Sequence, residues 1–453
     1  MRSRVEGGQD VQSGKRQVRP DLQHRRPLRV GHACGAHGRV KALYGRARQA
    51  ATPRTILKGA QVFGARRLWH AVNVSVLAVA LLAGACSGDG EDRPKVDVIG
   101  GNGTPAAGKT GSGSVSASGP GPSGGAVTTP ATGKRYATVG NVDVYFQMAL
   151  DRRDILAALQ PGEGKPADWA KAKEIYEKGK NQVRSDGTLR PLASIPNDSV
   201  QAAFPNGAAV YGRPDFINAL VRDGLDGTGR AQGLPDDARR QIVDKGIQML
   251  MYGKSLQELA SARTRVEQKN PDNNTGAPHA VDEAWAAIAG SPDNNGNRVY
   301  GLLQTARGRE GNFKLEGKVA DPLEAAFVAA LASAQKGDLA AFDKAHGEIK
   351  GLMNTVFYLA SLRYVKSLEG ATTQAQRQEQ LAEGWTFFQT IRPLVAQASA
   401  SAAKTVEDAY NRPAEAAFPA SVTTAVYQAL NEPAVLQALG IPAAVQVKTP
   451  PAG

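Results

Sequence analysis

The sequence predicts a mainly α protein, a helical bundle or two packed helical bundles, after a disordered tether. Three observations carry this. Beyond Lys134 apolar residues recur at three- and four-residue steps in segment after segment. No run alternates in the way a half-buried strand would, and no fixed-period repeat is visible. The 46 residues from Ser87 to Thr132 are Gly, Ser, Pro, Thr and Ala with almost no large apolar side chain, so they cannot form a core.

Taken in order, residues 1–65 are rich in Arg, Gly and Gln and lack a sustained apolar period. They read as a doubtful or disordered extension, with a true start expected near Val62; recovery of residues 1–60 from cells by peptide mapping would refute this. Residues 66–86 read as an export signal. Arg66 and Arg67 precede an apolar run from Val72 to Leu82, too short to span a bilayer. The run ends in Leu82-Ala83-Gly84-Ala85-Cys86-Ser87, which resembles the bacterial lipobox, with Ala83 where Leu is usual. That resemblance implies a lipid on Cys86 and, with Ser87 after it, sorting to the outer membrane; a single transmembrane anchor is the alternative. Residues 87–132 would then form a flexible linker of roughly 40 Å reach.

Within that linker Gly103-Thr-Pro-Ala-Ala-Gly108-Lys109-Thr110 matches the phosphate-loop pattern letter for letter. The pattern holds phosphate only between a strand and a helix, and Gly111-Ser-Gly-Ser follows here, so no nucleotide partner is expected.

The folded region, residues 133–447, opens with a possible short strand at Tyr136–Val139. Helices are expected at about 142–159, 167–180, 215–222, 236–266, 279–289, 298–307, 322–336, 339–368, 373–398, 402–410 and 421–430. In the 339–368 segment Phe342, His346, Ile349, Met353, Val356 and Ala360 form one buried stripe, with His346 read as a satisfied core histidine.

Charge narrows the function. The net charge of +13 suggests a nucleic-acid partner, but residues 1–70 hold 16 Lys and Arg against Glu6, Asp10 and Asp21. Of the chain's 55 basic and 42 acidic residues, 39 of each remain. A neutral body has no electrostatic footprint for DNA or RNA. Cys34 and Cys86 are the only cysteines, so the folded region relies on its core.

One stretch carries candidate chemistry. Only His279 and His346 follow the export signal, and His279 lies in Ala277-Pro278-His279-Ala280-Val281-Asp282-Glu283-Ala284-Trp285. Pro278 suits a first helical turn, where the dipole favours the acids just inside. Positions i, i+3 and i+4 share a helix face, so His279, Asp282 and Glu283 could converge on one metal-sized point. Acids in a first turn are also common for dipole reasons alone, and a histidine there is often a surface or cap residue. The Asn- and Asp-rich loops at 270–276 and 291–297 flank this helix and read as connectors, since their spacing matches no EF-hand.

Further short stretches fall in a recognisable order: Tyr211-Gly-Arg-Pro-Asp-Phe, Lys245-Gly-Ile-Gln-Met-Leu-Met-Tyr252, the His279 helix with Gly290-Ser291, and Tyr300-Gly-Leu-Leu to Asn312-Phe313. Leu362-Arg363-Tyr364, Ala382-Glu383-Gly384-Trp385 to Arg392-Pro393-Leu394, and Leu439-Gly440-Ile441 follow. Together they make residues 140–447 resemble the low-iron-inducible periplasmic, or iron-assimilating, protein family, which is in turn similar to imelysin-like proteins with a His-x-x-Glu element. The family's cysteines are missing here, including one expected just before Asn312, and Asp282 stands at the third step after His279.

The resemblance implies an extracytoplasmic lipoprotein that binds or concentrates ferric iron for uptake, in some relatives with carbonate, and passes it to a transporter. It adds Tyr364 and Glu383 to His279, Asp282 and Glu283 as metal candidates. Hard ferric iron favours carboxylate and phenolate oxygen and accepts imidazole. Tyr364 could equally pack at a helix end, and Glu383 could be a solvated helix acid. Two other functions remain open: a metal-dependent peptidase of imelysin type, for which the usual histidine set is lacking, and a cell-envelope adaptor without metal. No enzyme activity is expected, since nothing resembles a nucleophile elbow.

Overall fold

The computed structural model describes residues 135–451 except 161, 163 and 295. The export signal, Cys86, the linker and the phosphate-loop match lie outside the described residues. Within them the chain is mainly helical around one continuous apolar core, running from Tyr136 to Val445.

The helices are α1 (Asp143–Leu159), α2 (Trp169–Lys178), α3 (Asp198–Ala202), α4 (Gly207–Tyr211), α5 (Phe216–Asp226), α6 (Asp236–Glu267) and α7 (Ala277–Ala289). They continue with α8 (Leu302–Phe313), α9 (Ala320–Lys336), α10 (Leu339–Gly370), α11 (Gln374–Ala398), α12 (Ala400–Tyr410), α13 (Ala420–Leu430) and α14 (Pro433–Leu439). The short α3, α4 and α14 were not legible, because five to seven residues give too little period to read.

Two helices of 32 residues, α6 and α10, are each about 48 Å long at the usual rise. Around α6 pack α5, α7 and α11; around α10 pack α9, α11 and α13, and α6 and α10 also touch. The stops are local. Gly337, at φ 65°, ends α9, and Asp338 caps the next helix by accepting from Ala341 N at 3.0 Å. Thr373 and Gln376 form a reciprocal capping box at the start of α11. No helix among the described residues is long and apolar enough to cross a membrane.

Two expectations are corrected. Tyr136–Val139 is not a strand: it is an extended segment whose polar groups bond to helices α7 and α9, so no sheet partner is needed. Residues 298–301 are not helical either. Arg298–Val299 (β2) pairs antiparallel with Ser291–Pro292 (β1), closed by Asp293 accepting from Asn297 N at 2.8 Å. The hairpin depends on Gly290 at φ 85°, where a Cβ would lie 2.2 Å from Val299 O. Helix α8 begins only at Leu302, after this turn.

His346 is half-buried on α10 against Phe342, ring centres 6.1 Å apart, and burial lowers its pKa.

Candidate functional site

Helix α7 starts after Gly276, with Pro278 in its first turn as the sequence implies, and it is buried along nearly its whole length. An α-helix turns about 100° per residue, so Asp282 and Glu283 stand on opposite sides of His279, about 60° one way and about 40° the other. The structure uses those two sides differently.

On one side Asp282 is fully buried and acts as a clasp. Its Oδ1 accepts from the Tyr136 hydroxyl at 2.6 Å, and its Oδ2 accepts from the backbone N–H of Val139 and Gly140, both at 2.8 Å. Tyr136 packs on Trp285 and Phe327, with ring centres 4.9 and 6.1 Å away. Burial raises the Asp282 pKa, against the pull of these donors. Burial first, and then the nearby carboxylate, holds the Tyr136 hydroxyl well above its ordinary range. Gly140 fits here because it has no side chain. A Cβ would lie 2.7 Å from Asn273 O and 2.8 Å from His279 Nδ1.

On the other side His279 Nε2 stands 3.4 Å from Glu283 Oε1. Glu283 in turn shares hydrogen bonds with Glu258 of α6 and Tyr145 of α1. The hydrogen bond His279 donates to Glu283 raises the His279 pKa despite burial. Burial alone would raise Glu283, but its donors, His279 first, hold it below the ordinary carboxylate range. For Glu258 burial and the Glu283 charge outweigh the adjacent ammonium of Lys254, and its pKa is raised. Lys254 Nζ is hydrogen-bonded to Glu258 Oε1 and, at 2.6 Å, to Gln257 Oε1. It also lies 5.3 Å from the Tyr145 ring centre, and Arg190 covers that ring at 4.4 Å. Burial pushes the Tyr145 hydroxyl above its ordinary range.

Tyr364 and Glu383 are also brought together. The Tyr364 hydroxyl donates to Glu383 Oε1 at 2.6 Å, and Lys245 Nζ lies 2.9 Å from the same oxygen. Lys245 also pairs with Asp244 Oδ2 at 2.7 Å, and Asp244 Oδ1 accepts from Arg152 Nε at 2.6 Å. Desolvation of Asp244 is overcome by its two cations, which hold its carboxyl well below the usual range. Glu383 is therefore a buried ion-pair member rather than a solvated helix acid.

The expected convergence of His279, Asp282 and Glu283 on one point is thus divided between a clasp and a cluster. Among the described residues no group of three or more His, Cys, Asp or Glu is gathered so as to hold a metal ion. The donor chemistry nevertheless fits a hard metal around Glu283: one imidazole, two carboxyls and a phenol. Two donors bonded to one first-row ion at about 2.0–2.2 Å stand roughly 3–3.5 Å apart when adjacent, the separation seen between His279 Nε2 and Glu283 Oε1. The buried His279 Nδ1 has no partner.

Sequence reasoning missed Tyr145, Lys254 and Glu258. The signal for Lys254 and Glu258 was available on α6, where Asp244, Gln248, Lys254, Ser255 and Glu258 all lie on buried surface among Ile, Leu and Met. Ionisable groups on the inner face of a long helix require partners from elsewhere.

A family model described as low iron-inducible periplasmic protein matches residues 114–383. The match takes in His279, Glu283, Tyr364 and Glu383 and ends before the Gly384-Trp385 stretch. No curated protein and no solved structure matches the chain.

Proposed function

Because the chain belongs to the low iron-inducible periplasmic protein family, we propose that it binds or concentrates ferric iron outside the cytoplasm for uptake, as a binding protein and not an enzyme. The family description itself names the periplasm and low iron. The reading further includes a lipid on Cys86 that anchors the chain to the envelope, on the outer membrane, and transfer of the metal to a transporter.

One observation carries the proposal. His279, Glu283, Glu258 and Tyr145 bring four hard donors together, half-buried at His279 and Glu283 and buried at Glu258 and Tyr145. Burying such groups is unfavourable, and the apolar core has no need of them. Metal binding at His279 would displace the proton that Glu283 favours on its ring, so affinity should rise with pH while ferric iron stays in solution. Asp282 contributes by holding residues 136–140 against α7, and Tyr364 with Glu383 forms a separate pair already satisfied by Lys245.

The test is iron stoichiometry of the full chain with ferric citrate, with and without bicarbonate, beside a His279→Ala, Glu283→Ala double variant that keeps its helical circular dichroism. Stoichiometric iron lost only in the variant supports the site. Equal iron in both moves it elsewhere, and iron in neither favours an adaptor role. A dependence on bicarbonate would assign carbonate a place beside the metal. Mass spectrometry of the mature N-terminus tests the lipid on Cys86.

A further inference from the structure

The Lys254 ammonium occupies a place beside Glu258 where a bound cation would be expected. Both side chains are only 6% exposed, and the ammonium is hydrogen-bonded to Glu258 Oε1. Glu258 is bonded onward to Glu283, and Glu283 faces His279. A metal ion that used Glu258 together with Glu283 would meet a fixed positive charge on the first of them. At such separations within a protein, like charges repel by several kcal/mol even with substantial dielectric screening, so ion and ammonium cannot comfortably share the site.

We propose that Lys254 is a tethered competitor for the metal, leaving Glu258 when the ion enters. The proposal rests on the iron-binding reading above. A lysine suits this part because its charge rides on a flexible four-carbon stem and can move several ångströms without the helix moving. Gln257 Oε1 bonds the ammonium at 2.6 Å, and Gln257 is only half-buried, so it marks the outward direction of that swing. In the metal-free protein the same ammonium compensates buried carboxyl charge that would otherwise be unpaired. It therefore keeps the donors packed without metal and imposes a fixed cost on every cation that enters. Weakly held cations fall below useful affinity, and tightly held ones remain.

The experiment compares ferric citrate binding to the full chain, Lys254→Met and Lys404→Met. Lys404 is exposed on α12, paired with Asp408 at 2.7 Å, and controls for net charge. The expected result is binding tightened about tenfold or more in Lys254→Met and unchanged in Lys404→Met. A second measurement does not depend on any variant folding: amine acylation of the wild-type chain, mapped by peptide mass, with and without ferric citrate. Lys254, buried without metal, should become at least several-fold more reactive with it.

Ferric binding by the wild type together with unchanged or weaker binding by folded Lys254→Met, or with no gain in Lys254 acylation, overturns the proposal while leaving the iron reading intact. Absence of iron from the wild type overturns both.

Discussion

Replacing Asp282 separates a ligand from a clasp. Its two oxygens accept three hydrogen bonds, from the Tyr136 hydroxyl at 2.6 Å and from Val139 and Gly140 N at 2.8 Å each. In Asp282→Ala the buried Tyr136 hydroxyl loses its acceptor, at a cost of about 1–3 kcal/mol. The two backbone N–H groups are part-buried and can recruit some water, so about 1 kcal/mol each is a reasonable loss. The sum is about 3–5 kcal/mol. Asp282→Asn should cost less, about 1–2 kcal/mol. Its carbonyl can accept both N–H groups while its amide donates to a rotated Tyr136 hydroxyl, leaving only the charge-assisted component lost. Urea denaturation followed by circular dichroism gives both values, and ferric binding is measured on the same preparations. Asp282→Asn should bind iron within about threefold of wild type, because the carboxylate points at residues 136–140 and not at Glu283. Loss of iron binding in Asp282→Asn with unchanged stability would refute this account and restore Asp282 as a ligand.

Three further outcomes are expected. The His279–Glu283 pair should give a pH-dependent stability: His279, with its pKa raised by Glu283, contributes fully below about 6.5 and loses its contribution as pH rises through the folded value. Glu283, with its pKa lowered, contributes above about 4.5 and loses that as pH falls through its own folded value. Glu283→Gln should remove both slopes from a stability-against-pH curve. Gly140→Ala should destabilise by about 1–3 kcal/mol, because its methyl group would meet Asn273 O at 2.7 Å and a backbone oxygen cannot easily yield; urea midpoints check it. Lys245→Met should cost about 3–5 kcal/mol, since Asp244 and Glu383 would lose a shared buried cation, and thermal unfolding measures the loss.

The long helices were legible because their burial is periodic: α6, α10 and α11 fall within a residue or two of the pattern drawn from sequence. The first-turn position of Pro278 and the pairing of His279 with Glu283 were legible for the same reason, being relations within one helix. What spacing could not supply was direction across elements. Asp282 looks like a partner of His279 on a helical wheel. Its true partners, Tyr136, Val139 and Gly140, lie more than 140 residues earlier in the chain. Glu258 and Tyr145 reach Glu283 from two other helices, and only tertiary packing sets that meeting. The hairpin at 291–299 was hidden because two-residue strands have no readable alternation.

The clasp at Asp282 also sets where a mechanical load on the chain would be felt. Residues 135–140 are the first of the described residues. Tension applied at residue 135 would arrive first at Tyr136, held through its N–H by Glu324 at 2.9 Å and through its hydroxyl by Asp282. Asp282 is fixed in α7, one turn from His279 and next to Glu283. A pull strong enough to draw the Tyr136 ring from Trp285 and Phe327 would therefore act on the helix that carries the candidate donors, before it reached α10 or α11.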